Sequence, residues 1–232
     1  MKKFDILFEE VCTSTNDIAK TLPLYTAVYA GRQTKGRGRM GRTWQDGRGN
    51  LMASIVLPSE KQAHLYSFLS SLAVAQSLAF LSPRIKWPND VLVDGKKVCG
   101  ILLESFEDKL IIGIGVNIET YPLTGMLYQT TSLKAEGYVV EARKLLENIL
   151  QNLSFVIENF EKKGFASVRL EWLEFACGLG KMITVSLPNE TVQGVFEGVD
   201  EDGALILAVG GDLRRLITAG DVFMIGERND EK

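Results

Sequence analysis

Lys86-Trp87-Pro88-Asn89-Asp90-Val91-Leu92-Val93-Asp94-Gly95-Lys96-Lys97-Val98-Cys99-Gly100-Ile101-Leu102-Leu103-Glu104 is the stretch that sets the fold class. Asp94-Gly95 between two runs of β-formers is a strong hairpin signal, because both residues tolerate the positive φ of a tight turn. It predicts antiparallel strands over residues 91–93 and 97–104. A third strand, over 110–117, follows the polar turn Glu107-Asp108-Lys109. Alternation places Lys97, Cys99 and Ile101 on one face and Val98, Gly100 and Leu102 on the other. On that reading the Lys97 ammonium shares a face with apolar neighbours and needs a counter-anion, unless it snorkels out at the strand's start. Gly113 and Gly115 inside the third strand mark a close approach by a ligand or another backbone. Asn117 delivers a polar group to that strand's end.

Upstream, residues 4–8, 26–30 and 51–57 read as further strands. Between the last two lies Gly36-Arg37-Gly38-Arg39-Met40-Gly41-Arg42, with Gln33 ahead of it and Trp44 behind. Repeated glycine lets backbone N–H groups approach a ligand, and the guanidiniums are planar, permanently charged forks suited to carboxylate and phosphate oxygens. From Arg32 to Arg48 the only acid is Asp46. Three readings fit this composition: an anion-binding loop, a solvated linker and a general nucleic-acid contact.

Thr13-Ser14-Thr15-Asn16-Asp17 precedes a short helical run over 18–22. These residues serve as N-cap chemistry, or present hydroxyl and N–H groups to a polar, uncharged ligand, and one can cap while its neighbours bind. Residues 61–81 predict a long helix, apolar enough to lie buried against the sheet. His64, at its exposed start, is the chain's single histidine, so His-dependent triads and most transition-metal sites are excluded. Helices over 140–163 and 165–176 follow, flanking the sheet. Beyond Gly178 the texture changes to short strands over 182–187, 191–199, 204–209, 213–218 and 222–225, separated by Gly- and Asp-rich turns. That spacing predicts a small barrel leaning on the main body.

The chain has 232 residues, 46% hydrophobic and 24% charged, with a formal net charge of −3. The basic loop is thus a local feature on a mildly acidic body. Three scattered cysteines (Cys12, Cys99, Cys177) suit reduced thiols rather than a disulfide or zinc framework. Acids at positions 5, 9 and 10 interrupt any signal-peptide core, and no run approaches the ~18 apolar residues of a membrane span. A cytoplasmic protein without a membrane partner is the expectation.

Taken together, Ser14-Thr15-Asn16, Gln33, the Gly-Arg loop ending in Trp44, Lys86-Trp87-Pro88-Asn89-Asp90, Lys97 with Gly100-Ile101-Leu102, and Gly113-Ile114-Gly115-Val116-Asn117 resemble the biotin protein ligases. The motifs stand in that family's order and span essentially the whole chain. The resemblance implies an α+β fold: a mixed, largely antiparallel sheet flanked by helices, of the class II synthetase-like kind, with a small C-terminal β-barrel. It divides the chain into a catalytic domain (1–177) and a barrel domain (178–232). Met40 stands where many members carry another Arg, and Asp17 where some carry Gln. Too few residues precede Ser14 for the winged helix-turn-helix of the bifunctional repressor type, so no DNA partner is expected. A homodimer remains open.

The activity implied is two-step. Biotin and ATP give biotinyl-5′-AMP and pyrophosphate, and a lysine of a biotin carboxyl carrier protein then takes the acyl group. By resemblance, Ser14, Thr15, Asn16, Gln33, Gly36, Arg37, Gly38, Arg39, Lys97, Gly100 and Gly113 bind biotin. Arg37, Arg39, Trp44, Lys86, Asn89, Asp90 and Asn117 serve ATP, with Asp90 also helping to hold Mg²⁺. Arg39 and Lys97 carry the catalysis. A lipoate ligase is the nearest alternative, and a non-catalytic nucleotide- or nucleic-acid-binding module the more distant one.

Overall fold

The computed structural model describes residues 2–45, 47–123, 126 and 128–224. Asp46, Ile225 and the polar tail 229–232 of the sequence reading lie outside them. Strands β1 (Asp5–Glu9), β2 (Thr26–Ala30), β3 (Leu51–Pro58), β4 (Arg84–Lys86), β5 (Asp90–Val93), β6 (Lys96–Phe106) and β7 (Lys109–Val116) form one sheet in the order β1-β2-β3-β7-β6-β5-β4. β1 and β2 are parallel and every other pair is antiparallel. The expected hairpin is present, with Asp94 and Gly95 at φ 48° and 73° and Val93 opposite Lys96. β4 was not foreseen. It has three residues between prolines at 83 and 88, is joined within the sheet to β5 and, through Ile85, bridges Ala176; it lies at the sheet's edge, where proline is tolerated.

The sheet's two faces differ. One carries Ala53, Ile55, Leu57, Ile101, Ile112, Ile114 and Val116 and is covered by α2 (Tyr66–Ser77), α3 (Ala142–Lys163) and α4 (Phe165–Phe175). The predicted 61–81 helix is real only in its middle, with single 3-10 turns at Ala63–Leu65 and Ala79–Leu81. Ten of its twelve α-helical residues are buried, so its sequence shows no polar stripe whose ends could be read. Among the described residues, no helix is long and apolar enough to cross a membrane.

The other face is covered by α1 (Thr15–Ala19), which packs on Val28, Val56 and Ile111. This helix starts earlier than predicted. Thr15 and Asn16 lie inside it, and Ser14 holds the N-cap position without a side-chain cap bond. Their polar groups are therefore turned to the sheet instead of to the helix end.

The C-terminal strands β8 (Met182–Ser186), β9 (Thr191–Val199), β10 (Leu205–Gly210), β11 (Leu213–Ile217) and β12 (Asp221–Met224) form a separate antiparallel sheet, ordered β11-β10-β9-β8-β12. Among the described residues β11 and β12 remain its two edges, with no pairing between them that closes a barrel. Its inner residues, including Ile183, Val185, Phe196 and Leu205, belong to the same apolar cluster as the helices. Trp87 Nε1 donates to the Gly203 carbonyl at 3.0 Å, fastening the two sheets together.

Candidate active site

A β-bulge decides where Lys97 points. Val91 pairs with Cys99 but Leu92 with Lys97, so Val98 is an extra residue in β6. The bulge reverses the expected alternation: Cys99 and Ile101 enter the core, while Lys97 joins Gly100 on the α1 face. A Cβ on Gly100 would lie 3.1 Å from Lys97 Nζ. Lys97 meets its counter-anion there, since Nζ lies 2.7 Å from Asp90 Oδ1 with the side chains 16% and 10% exposed. Burial pushes the Cys99 thiol well up, so it is no nucleophile.

Beside Lys97 the α1 face carries a cup of neutral polar groups. Gln33 Oε1 accepts from the Thr15 N–H (2.7 Å) and hydroxyl (3.0 Å). Ser54, fully buried on β3, bridges Thr15 Oγ1 (2.7 Å) and Asn16 Oδ1 (2.5 Å). Asn16 Nδ2 donates to Glu104 Oε2 at 2.5 Å. Both strand glycines are needed for close approach, here by the protein's own side chains. A Cβ at Gly113 would lie 2.7 Å from Asn16 Oδ1, and one at Gly115 would lie 2.3 Å from the Trp44 ring.

The Gly-Arg loop is a small hairpin over this cup. Trp44 N donates to Gly36 O (3.1 Å) and Gly38 N to Arg42 O (2.7 Å). The tip turns through Met40 and Gly41 at φ 55° and 74°, a backbone glycine adopts freely and methionine does not. Met40 is 66% exposed at that tip and lines neither cavity described below. The three arginines diverge. Arg37 makes a two-pronged pair with Asp17 (2.8 and 2.9 Å) and reaches Glu104 (3.4 Å). Arg39 donates to Asn89 Oδ1 (2.9 Å), whose amide is fixed on the Ile101 carbonyl (2.6 Å). Arg42 pairs with Asp221 of the C-terminal sheet.

Two cavities meet at this flap. The first, about 40 Å³, is lined by Ser14, Thr15, Asn16, Gln33, Arg37, Gly38, Trp44, Gly100 and Gly113 among others, which gathers most of the residues expected to bind biotin. It is narrow because the Trp44 indole lies across Gly100 and Gly115; among the described residues its buried Nε1 has no hydrogen-bond partner. The second, about 620 Å³, runs between α2, the far part of β6 and the C-terminal sheet, with Arg39 and Asn89 in its wall.

Of the residues expected to serve ATP, Arg37 and Trp44 line the first cavity and Arg39 and Asn89 the second. Asp90 is engaged by Lys97, Asn117 donates to the Thr131 carbonyl (3.0 Å), and Lys86 lies against the Tyr128 ring, 2.9 Å from its centre. Trp44 stands on the biotin side. Tyr128 and Asp221, both missed in the sequence, border this region. Burial raises the Tyr128 hydroxyl, and for Asp221 Arg42 outweighs burial and holds the carboxyl below its usual range. The Asp17 carboxyl is held down, at about 2, because Arg37 bonds its charged form.

The model of the Biotin/lipoate A/B protein ligase family matches residues 8–118, and that of the Biotin protein ligase C terminal domain residues 178–225. A biotin--[acetyl-CoA-carboxylase] ligase from Paracoccus denitrificans is 35% identical over 86% of this chain and 90% of its own length. The chain belongs to the biotin protein ligases. The bifunctional ligase/repressor BirA of Bacillus subtilis is 33% identical over 92% of the chain and 72% of its own length. The Aquifex aeolicus biotin protein ligase, solved in complex with biotin and ATP, superposes with a TM-score of 0.82 at 27% identity, covering 94% of this ligase and 97% of that one.

Proposed function

We propose that this ligase joins biotin to ATP, forming biotinyl-5′-AMP and pyrophosphate, and then passes the biotinyl group to a lysine of a biotin carboxyl carrier protein. The observation that carries the reading is a cavity lined by neutral Ser14, Thr15, Asn16 and Gln33 whose Gly100 wall abuts the Lys97 ammonium, and which meets at the flap a second cavity with Arg39 and Asn89 in its wall. A uniformly apolar cavity would not orient a ligand with a polar ring system and a terminal carboxylate. In the first step a carboxylate oxygen bonds to the α-phosphorus and the α–β phosphoanhydride breaks. In the second, the lysine nitrogen bonds to the acyl carbon, the acyl–phosphate C–O bond breaks, and the amine sheds a proton as AMP leaves.

No enzyme nucleophile is required, so catalysis consists of alignment and charge neutralisation. Lys97 lies where carboxylate and α-phosphate converge, Arg39 receives phosphoryl charge, and Lys86, Asn89, Asp90 and Asn117 frame the nucleotide. Mg²⁺ is commonly held by one or two carboxylates together with substrate phosphates. Asp90 offers one, and among the described residues no group of three or more acidic, His or Cys side chains gathers. When bound, the ion supplies further neutralisation of phosphate charge. Residues 1–177 form the catalytic unit on this reading, and 178–232 a module that braces the flap through Asp221.

The test is pyrophosphate release dependent on both biotin and ATP, followed by labelling of a carboxyl carrier domain but not of its lysine-to-alanine variant. Release with lipoate in place of biotin favours the lipoate alternative; release with neither overturns the assignment.

A further inference from the structure

Arg37 and Arg39 are two residues apart on one hairpin yet serve opposite walls. Arg37 is spent on α1 and β6, with two N–H···O contacts to Asp17 on the helix and one to Glu104 on the strand. Asp17 also receives Lys20 at 3.2 Å. Two cations and two carboxylates are thus matched at this junction, leaving no excess positive charge to attract an anion. Glu104 does more than neutralise: the same Oε2 that faces Arg37 accepts from Asn16 Nδ2, and Asn16 Oδ1 meets the buried Ser54. The flap's contact with α1 therefore continues into the polar cup.

We propose that Asp17 and Glu104 are positioning residues that hold the flap shut over the biotin cavity by receiving Arg37, and that Arg37 closes the site instead of contacting the reacting anions. Closure and alignment of the cup are one connected set of bonds. The flap base is already sewn to the segment before α1 by Thr34 N to Cys12 O (2.9 Å) and Lys35 N to Thr13 O (2.8 Å). Arg37–Asp17 extends that seam to the limb over the cavity, while Arg39 on the other limb keeps a neutral partner, Asn89. The inference rests on the proposed ligase reading for what the flap retains, but not for the latch itself.

The experiment uses the full chain with Asp17→Asn, Arg37→Gln and the double variant. Without ligands, trypsin should cut the flap of Asp17→Asn about fivefold faster than that of the native protein, the size of effect a partly exposed charge pair gives. With biotin and ATP, biotinyl-AMP should escape about fivefold faster from both single variants, while pyrophosphate formation by Asp17→Asn at saturating substrate stays within threefold. The double variant should be no leakier than either single one, because both remove the same contact. Native-like flap protection in Asp17→Asn overturns the latch. So does additive leakage, or a hundredfold loss of pyrophosphate formation in Arg37→Gln alone. Absence of biotin-dependent pyrophosphate release from the native protein sinks the functional reading, while the proteolysis result still decides the latch.

Discussion

Replacing Lys97 by methionine separates its ion pair with Asp90 from the catalytic role proposed for it. Its ammonium lies 2.7 Å from Asp90 Oδ1 and both side chains are largely buried, so Lys97→Met strands a carboxylate in a site with little water. Breaking such a pair costs about 3 kcal/mol, which for a chain of this length lowers Tm by roughly 6–12 °C. Adding Asp90→Asn removes the stranded charge and should return most of that stability. Catalysis should behave differently. A cation at the point where two anions meet is worth about 10²–10³ in rate, and the double variant does not restore it. The assays are thermal unfolding and biotin-dependent pyrophosphate release on native, Lys97→Met and Lys97→Met/Asp90→Asn protein. If the double variant regains activity along with stability, Lys97 is only the counter-ion of Asp90 and its catalytic role is refuted.

Gly115→Ala places a methyl 2.3 Å from the Trp44 ring. The indole must move, and the biotin KM should rise about tenfold with little loss of fold, an overpacking effect read by steady-state kinetics and tryptophan emission. Ser54→Ala removes a fully buried hydroxyl shared by Thr15 and Asn16. It should lower stability by about 1–2 kcal/mol and raise the biotin KM more than it lowers kcat. The Asp17 carboxyl, held at about 2 by Arg37, is depressed below its unfolded value, so its contribution is present above about pH 4 and lost as pH falls toward 2. Because the pair is well exposed, that contribution is under about 1 kcal/mol. Asp17→Asn should flatten this part of the Tm–pH curve and lower Tm by a small, pH-independent amount above about pH 5.

The sheet was legible because its strands announce themselves locally: Asp94-Gly95 fixes one turn and the β-formers around Gly113 and Gly115 fix the next strand. The orientation of Lys97 was not. A bulge is a property of two strands paired together, and nothing in Lys97-Val98-Cys99 alone says that Val98 is supernumerary. The same limit hid Glu104 and Asp221, which read as ordinary surface acids until the fold brings Arg37 and Arg42 to them across 67 and 179 residues. Ser54 did leave a signal. It is the one hydroxyl in Leu51-Met52-Ala53-Ser54-Ile55-Val56-Leu57, and a polar group in so apolar a strand must find a partner when buried. The capping interpretation of Thr15 and Asn16 failed for a related reason: their side chains bond to β3, β6 and Gln33, partners that local sequence does not contain.

The charge arrangement gives the flap its order of events. Arg37 faces Asp17 and Glu104, Arg42 faces Asp221 and Lys97 faces Asp90, whereas the hydrogen-bond partner of Arg39 is the neutral Asn89. An anion reaching Lys97 must compete with a carboxylate already in contact, and the freed carboxylate then needs a new cation or solvent. An anion reaching Arg39 displaces an amide oxygen, with Asp221 acting on Arg39 from farther off, and Asn89 stays anchored through its Nδ2 bond to Ile101. On the proposed reading Arg39 therefore meets incoming negative charge at the lower desolvation cost. Lys97 follows once two anions together outweigh Asp90. On that reading the site admits either substrate loosely and grips the pair, in keeping with a proposed first step that needs both present at once.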